Sequence, residues 1–475
     1  MKLNSARPKH VRHLLLLALA LSAAAGTSHA FAAPATTAAS VTPAASAAIV
    51  GSADAGHAPR EVSAAEYAIF LKEKYAIDLP AAVSKGAYLA AVADALSARP
   101  DDQPHAFADM KPGDAYYADA AALQALGVIT SSTVGADKLL SAVGAVQLAV
   151  KAAGLQELAY TYPAAKTEAA LAKVKLKPAG LGTAGAAQEL AAAIDTGLLP
   201  PSYYGEIKLG GKASRELALT LIGQTLSVRG QYKHYVGYTS DADIYAKVQD
   251  AFAQSDIIQS PELQAVVDKA LERDIVTGYN LKDSRFEANF VDALSLVYGH
   301  SDLRHGLQLI GLLRSEGIDA KVQFEPKTSA FIYLKEWGEP GVSDLYTVKQ
   351  IANGNYIEYA KEYDLAFEFA SVGDKARFDG IVQAYAKKNE ENQTGLLYGS
   401  WWQPLYYSQT ELPGYKIIAN NKIARGHYYA QSFSLSSESA KVAQGFREID
   451  PSVVVDSYEF WTDVPFYNYL NGESK

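Results

Sequence analysis

The stretch Phe107-Ala-Asp-Met-Lys-Pro-Gly-Asp-Ala-Tyr-Tyr-Ala-Asp-Ala-Ala-Ala-Leu-Gln-Ala-Leu-Gly-Val128 determines the fold that we expect for the first half of this 475-residue chain. It joins an aromatic-acid turn, a Pro-Gly pair, two tyrosines and an Ala/Leu run that reaches Gly127. Pro-Gly favours a turn, Asp114 favours the start of a helix, and Gly127 favours its end. The stretch therefore predicts a turn followed by a short helix.

The surrounding residues, 61–229, predict more Ala- and Leu-rich helices that repeat at roughly 50–60 residues. Each unit contains a helix that opens with serine, the residue type that caps helix N-termini well. We interpret the pattern as three degenerate copies of one module, at residues 61–100, 101–155 and 156–229. The three opening serines are Ser84, Ser141 and Ser214.

These features resemble the S-layer homology (SLH) repeat, a family that attaches exported bacterial proteins to cell-wall polymers without a covalent bond. The resemblance implies an all-α pseudo-trimer of helical repeats. It also implies grooves that hold a pyruvylated secondary cell-wall polysaccharide, with a basic side chain meeting the ketal carboxylate. An anion at a helix N-terminus gains from the helix dipole, free N–H groups and a nearby cation.

The resemblance carries over to individual residues at two of the three helix starts. Ser84-Lys85-Gly86 matches the polysaccharide-binding pattern in the first unit, and Ser214-Arg215-Glu216 matches it in the third. The second unit has Ser141-Ala142-Val143 and lacks the basic residue, so its groove is in question. The plainer alternative is that the serines are only helix caps and that Lys85 and Arg215 are solvated. Tyr116 and Tyr117 are interpreted as core or groove wall.

The N-terminus predicts export. Residues 1–30 have a basic start, an apolar run of about a dozen residues, and small residues at Ser28-His29-Ala30. The alternative, an uncleaved membrane anchor, is disfavoured because a span needs ~20 apolar residues. Residues 31–60, rich in Ala, Thr, Ser and Pro, predict a flexible linker. We expect no membrane span after signal cleavage.

Composition excludes several classes of function. The net charge of −9 argues against nucleic acid as a partner, since phosphate binding depends on clustered Lys and Arg. The absence of cysteine excludes disulfides, thiolate metal sites and a cysteine nucleophile. Cysteine avoidance also favours a Gram-positive wall. No pattern calls for a cofactor or a metal, and we expect neither.

Residues 230–475 change in character, because tyrosine and phenylalanine become frequent and β-type runs alternate with helices. An amphipathic helix is expected at 302–316, and strands are expected at 320–324, 330–334, 356–369 and 415–419. Helices followed by neighbouring strands predict an α+β domain. The whole chain is therefore predicted to be multidomain: an all-α SLH pseudo-trimer followed by an α+β domain.

Within this second half, Leu307-Gln-Leu-Ile-Gly-Leu-Leu-Arg-Ser-Glu-Gly-Ile-Asp-Ala-Lys-Val322 resembles the core helix and strand of transglutaminase-like domains, over about residues 285–370. The resemblance places Asp302 at the cysteine position and Ser329 at the histidine position, so the domain is expected to be a non-catalytic pseudoenzyme. A carboxylate and a serine cannot replace a thiolate and its base. Asp344 or Asp364 is the candidate third member.

Three other readings remain open for this half. Ser301 or Asp302 could simply cap the helix. His300 and His305 could ligate a metal, although their spacing suits a helix less well than four residues. The aromatic clusters at 398–407 and 458–469 could be core, or could stack on sugars.

Two functions follow from these predictions. The first is a secreted, wall-anchored surface protein whose second half binds a ligand of unknown identity. The alternative is an exported hydrolase of wall glycan or peptide, with Asp302, Glu325 or Glu336 as acid and base.

Overall fold

The computed structural model describes residues 60–101, 103, 105–385 and 404–473. Within it, Glu61–Lys475 forms one compact unit. The predicted signal peptide, nearly all of the predicted linker, and Tyr398, Trp401 and Trp402 lie outside the described residues. We call residues 61–229 the helical half and residues 230–473 the barrel half.

The helical half consists of short helices that mostly begin at serine or threonine caps. Ser63, for example, accepts a hydrogen bond from the Glu66 N–H (3.2 Å), and the apolar side chains of the first helix then lie at helical spacing. The third helix begins at Tyr117 rather than at the predicted Asp114, whose carboxylate instead accepts from the Lys111 N–H. The helices are α1 (Ala64–Tyr75), α2 (Lys85–Ala95), α3 (Tyr117–Ala125), α4 (Ala142–Ala152), α5 (Gln156–Tyr160), α6 (Ala164–Ala172), α7 (Ala184–Asp195) and α8 (Arg215–Val228).

The described residues of the barrel half form ten antiparallel strands. They are β1 (Gly237–Tyr238), β2 (Gly278–Asp283), β3 (Ser295–His300), β4 (Ala320–Tyr333), β5 (Tyr346–Gln350), β6 (Tyr356–Phe369), β7 (Tyr406–Ser408), β8 (Lys416–Arg425), β9 (Tyr428–Ser434) and β10 (Val455–Thr462). Their order is β1-β4-β2-β9-β8-β10-β7-β3-β6-β5. A further pairing of β4 with β6 closes eight of them into a barrel and leaves β1 and β5 at its edges.

In the part of this half that the structure describes, six α-helices accompany the strands: α9 (Ile244–Gln254), α10 (Pro261–Glu272), α11 (Leu303–Ser315), α12 (Val372–Tyr385), α13 (Ser439–Ile449) and α14 (Val464–Leu470). The outward side chains of the strands are apolar. They pack under α9, α11 and α12 on one side of the barrel and under α10 and α13 on another. The helices therefore cover the apolar outside of the barrel.

The inside of the barrel is polar and charged. Lys282 pairs with Glu325 and with Asp364 (2.9 Å), and Lys327 also reaches Asp364 (2.7 Å). Each of these side chains is at most 8% exposed. Because unpaired charges are costly in a low-dielectric interior, this inner face depends on complete pairing.

The predicted fold class, an all-α SLH pseudo-trimer followed by an α+β domain, is wrong. The strands close into an eight-stranded antiparallel barrel. The helices do not form an independent repeat array either, since the third predicted unit holds four helices while the first two hold two each. The core of the helical half also includes Tyr232 and Val291 from the barrel half.

A buried ion cluster holds the two halves together. Glu66 on α1 accepts from the Lys233 ammonium (2.9 Å) and the Lys321 ammonium (2.7 Å). Both lysines also bind Glu368 on β6, at 2.7 and 2.9 Å. Burial opposes ionisation of Glu66, but Lys233 and Lys321 outweigh it and lower its pKa to about 2.

We expect Glu66 to make stability depend on acidity. Above pH 4.5 Glu66 is ionised in both states and its stabilisation is complete. As the pH falls from about 4.5 to about 2, the unfolded chain takes up a proton that the folded chain does not, and about 3 kcal/mol of unfolding free energy is lost. Glu66→Gln should therefore destabilise the protein at neutral pH and flatten this loss, as measured by urea unfolding across the range.

Glu168→Gln, at an exposed position on α6, is the matched control and should leave the profile unchanged. An identical pH profile for Glu66→Gln and the unmodified protein would contradict the role of the cluster.

Candidate anion-binding site

The starts of three helices lie side by side in the helical half. Segment 136–142, which leads into α4, lies between segment 83–86, which leads into α2, and segment 211–213, which leads towards α8. The backbone N–H groups donate from Leu140 to Val83 O (2.9 Å), Lys85 to Lys138 O (2.8 Å), Ala142 to Gly211 O (2.9 Å) and Ala213 to Leu140 O (2.8 Å). Three regions that are distant in sequence thus form one surface.

The three predicted serines cap these helices. Each hydroxyl oxygen accepts from the backbone N–H three residues later, at 3.0–3.1 Å: Ser84 from Ala87, Ser141 from Gly144, and Ser214 from Leu217. Glu206 in turn accepts from the hydroxyl (2.9 Å) and the backbone N–H (2.5 Å) of Ser214. The serines are therefore structural residues, worth about 1 kcal/mol each to their helices.

Lys85 is half-buried at the start of α2, and among the described residues its ammonium forms no ion pair. Burial lowers the pKa of Lys85, Asp109 partly offsets this, and the like charges of Lys138 and Lys151 lower the pKa further. Asp109 is itself bound to the N–H groups of Val134 (2.9 Å) and Gly135 (2.6 Å). Lys151 pairs with Glu189 (3.5 Å), so the three lysines exceed the two carboxylates, Asp109 and Glu189, by one positive charge.

The backbone at this helix start is not available to an anion. The N–H groups of Lys85, Gly86 and Ala87 donate to Lys138 O, Ala136 O and Ser84 Oγ, respectively. An anion here would depend on the lysine side chains and on the helix dipole, rather than on free N–H groups as the resemblance implied.

Tyr116 forms a wall beside Lys85. Its backbone has a positive φ of 65°, and its ring lies directly against Gly86. Tyr117 faces inward, donates from its hydroxyl to His105 O (2.6 Å), and packs edge-on against Phe107. The interpretation of these tyrosines as wall and core agrees with their positions.

Arg215 differs from Lys85, although the sequence assigned both the same role. Its Nε donates to Leu79 O (2.6 Å) and its Nη2 to Asp78 (2.9 Å), so its guanidinium braces the loop between α1 and α2. Glu216 is exposed on the first turn of α8.

The sequence did not predict Lys138 and Lys151 as residues near Lys85, because neither lies next to a serine cap.

In the barrel half, the two residues at the transglutaminase positions are not brought together. Ser329 points into the barrel, where its hydroxyl oxygen lies 2.7 Å from both Asn280 Oδ1 and Glu362 Oε2 and its single hydrogen can bind either one. Asp302 caps α11 by accepting from the Arg304 N–H (2.9 Å), on the outer side of the sheet. A closed sheet separates them, so they cannot act on one substrate.

The carboxylates proposed for an enzyme are also dispersed. Glu325 and Asp364 do meet on Lys282, but at 6% and 1% exposure they lie inside the barrel. Burial raises the pKa of Glu325, whereas Lys282 and Lys327 overcome burial and lower the pKa of Asp364 to about 2. Glu336 and Asp344 lie on surface segments away from this pair.

The two histidines contact each other instead of framing a metal. His300 Nε2 and His305 Nδ1 are 3.0 Å apart, and His300 Nδ1 accepts from the Asp302 N–H (2.8 Å). In the parts of the chain that the structure describes, no group of three His, Asp or Glu side chains is arranged to hold a metal.

The aromatic cluster at 458–469 is largely core. Phe460 and Phe466 are buried with Ile418 and Phe433, so they offer no platform for sugars. In the cluster at 398–407, Tyr406 is buried and the Tyr407 hydroxyl donates to Asp364 (2.9 Å). Its remaining members up to Gln403 lie outside the described residues.

Comparison with known proteins adds no assignment. No protein-family model matches the chain, and no curated protein is detectably similar to it in sequence. Over the described residues, each helix is too short or too polar to cross a membrane.

The contact between Gly86 and Tyr116 gives a test of the site's geometry. A Cβ at residue 86 would lie 2.4 Å from Tyr116 Cδ2, so Gly86→Ala should displace the ring and destabilise the fold by about 1–3 kcal/mol. Thermal unfolding would measure this loss. Gly380→Ala is the control: it is also helical, no atom lies within 4 Å of the added methyl group, and it should stabilise slightly. Equal shifts for both variants would contradict the arrangement.

Proposed function

We propose that this is an exported cell-surface protein that attaches without covalent bonds to an anionic, pyruvylated secondary cell-wall polysaccharide. The observation that carries the proposal is the half-buried Lys85 ammonium, which forms no ion pair among the described residues while Lys138 and Lys151 stand nearby. A half-buried cation without an ion pair costs folding free energy, and groups perturbed in this way are candidates for functional sites.

The chemistry of a pyruvyl ketal suits this site. Its carboxylate is a compact anion, and Lys85 can offer it a charge-assisted hydrogen bond that is stronger than a neutral one. Lys138 and Lys151 add a local positive potential to a chain whose overall charge is −9. The Tyr116 ring lies against Gly86, the residue that follows Lys85, and in this proposal it supports the sugar that carries the ketal.

Arg215 contributes differently in this proposal. Because its guanidinium is bound to Leu79 and Asp78, it supports the loop that leads towards α2 and does not itself meet the polymer. The second unit, which lacks a basic residue after Ser141, contributes Lys138 and Lys151 to the site at Lys85. We therefore propose one principal site on this surface.

Location at the wall or S-layer surface is part of the same proposal. It is supported by the export pattern of residues 1–30 and by the resemblance of residues 107–128 to a wall-binding family. The carboxylates of the barrel half are either far apart or enclosed in the barrel. They give no comparable support to the alternative function, a hydrolase.

The test is binding of the mature chain to purified pyruvylated wall polymer. Lys85→Glu should weaken binding at least tenfold, because it replaces a charge-assisted contact by repulsion. Lys85→Met should lose the same affinity without loss of thermal stability, since a half-buried unpaired ammonium costs folding free energy. Titration calorimetry would measure affinity, and thermal unfolding would measure stability.

Lys177→Glu makes the same charge change at an exposed position of the helical half and should bind normally. Polymer stripped of its ketal should bind the unmodified protein as weakly as intact polymer binds Lys85→Glu. Retention of full binding after stripping would refute the proposal.

A further inference from the structure

A cleft lies on the outer surface of the barrel half, between α10 and the edge strand β5. Its volume is about 560 Å³, which is the size of a typical small-molecule site. The polar side chains that line it come from both walls: Asp268, Lys269 and Glu272 from α10, and Thr347, Lys349 and Tyr359 from β5 and β6. No residue proposed to bind the wall polymer lies here.

Asp268 is the most deeply buried charged group of the cleft, at 7% side-chain exposure. The Tyr279 hydroxyl donates to one of its oxygens (2.5 Å), and the Tyr359 hydroxyl donates to the other (2.7 Å). Two hydroxyl donors fix the carboxylate in one orientation. Each carboxylate oxygen has two lone pairs. Asp268 Oδ2 also accepts from Lys349 (3.0 Å), so Oδ1, which accepts from Tyr279 alone, retains one acceptor position.

Lys349 lies on the opposite wall of the cleft and has a flexible side chain. Its ammonium binds Asp268 at 3.0 Å, yet its side chain is 54% exposed and it projects from a strand that pairs on one side only. The long flexible side chain can therefore keep contact with Asp268 while donating its other two hydrogens to a ligand.

The charges of the cleft are balanced. Asp268 and Glu272 oppose Lys269 and Lys349, so a ligand with a net charge would meet repulsion as well as attraction. The lining alternates donors and acceptors, and Pro261 and Ala265 supply a small apolar surface. A neutral molecule with many hydroxyl groups matches this lining, because each hydroxyl both donates and accepts.

We propose that this cleft binds a neutral saccharide, with ligand hydroxyls donating to Asp268 and Glu272 and accepting from Lys269 and Lys349. A strand of partner polypeptide fits the cleft less well. Strand β5 has five residues and carries a lysine, and Ser343 already pairs with Tyr346 at its start. The anionic polymer is disfavoured by the two carboxylates. The site is thus chemically distinct from the one at Lys85.

The test is titration calorimetry of the full chain with two uncharged tetrasaccharides, one of glucose and one of N-acetylglucosamine, and with tetragalacturonate as an acidic analogue. At least one neutral tetrasaccharide should bind with a Kd of about 1 mM or tighter, and tetragalacturonate should bind about tenfold more weakly. Lys349→Ala, which changes an exposed side chain, should weaken neutral binding about tenfold.

Lys416→Ala removes an exposed lysine elsewhere on the barrel and should bind like the unmodified chain. Lys85→Glu should also leave this binding intact, so failure here is distinguishable from failure of wall attachment. The proposal is overturned if neither neutral tetrasaccharide binds, if tetragalacturonate binds more tightly, or if Lys349→Ala has no effect. Binding only of extended peptides, with protection of β5 amides in hydrogen exchange, would overturn it in favour of a polypeptide partner.

Discussion

The pairing of β4 with β6 is the constraint on which the rest of the structure depends. The two strands pair along all 14 residues of each, and this single pairing joins the two ends of the eight-strand row. Because the row of strands is closed, alternate side chains point into the interior of the barrel and are shielded from water. Lys321 and Glu368 are directly opposed across that pairing, as are Lys327 and Glu362. Removing either partner of such a buried pair would leave an uncompensated charge, at a cost of about 3–5 kcal/mol.

The same ion pairs explain why the helical half is not a separate module. At one end of the barrel, Lys321 and Glu368 continue into Glu66 of α1, together with Lys233 of the connecting segment. The first helix therefore completes the charge balance of the barrel. An SLH-like array would need no such contact, since its helices would bury their apolar faces against one another. Here part of the core of the helical half comes from Tyr232 and Val291.

The two basic residues that follow a serine cap have different surroundings, and for this reason the candidate site includes only one of them. Lys85 and Arg215 each follow a serine that caps a helix. Arg215 meets a carbonyl and a carboxylate of the neighbouring loop, so its charge is satisfied by the protein. Lys85 has Asp109, Lys138 and Lys151 as its charged neighbours, and among the described residues its ammonium forms no ion pair. In the barrel half, Asp268 and Lys349 belong to a second polar site, in which two acidic and two basic side chains balance.

The sequence by itself determined the helix caps and the approximate positions of the strands. Ser84, Ser141 and Ser214 cap helices as predicted, and Asp302 caps α11, because a cap depends on three or four consecutive residues. The sequence also predicted strands at residues 320–324, 330–334 and 356–369, and the structure joins the first two into the single strand β4. Only the tertiary structure decided that these strands close a barrel, that Ser329 and Asp302 lie on opposite sides of it, and that Lys138 and Lys151 approach Lys85. Strand closure and charge clustering depend on pairings between residues far apart in the chain. The period-2 pattern of a strand is the same whether its polar face meets water or the inside of a barrel.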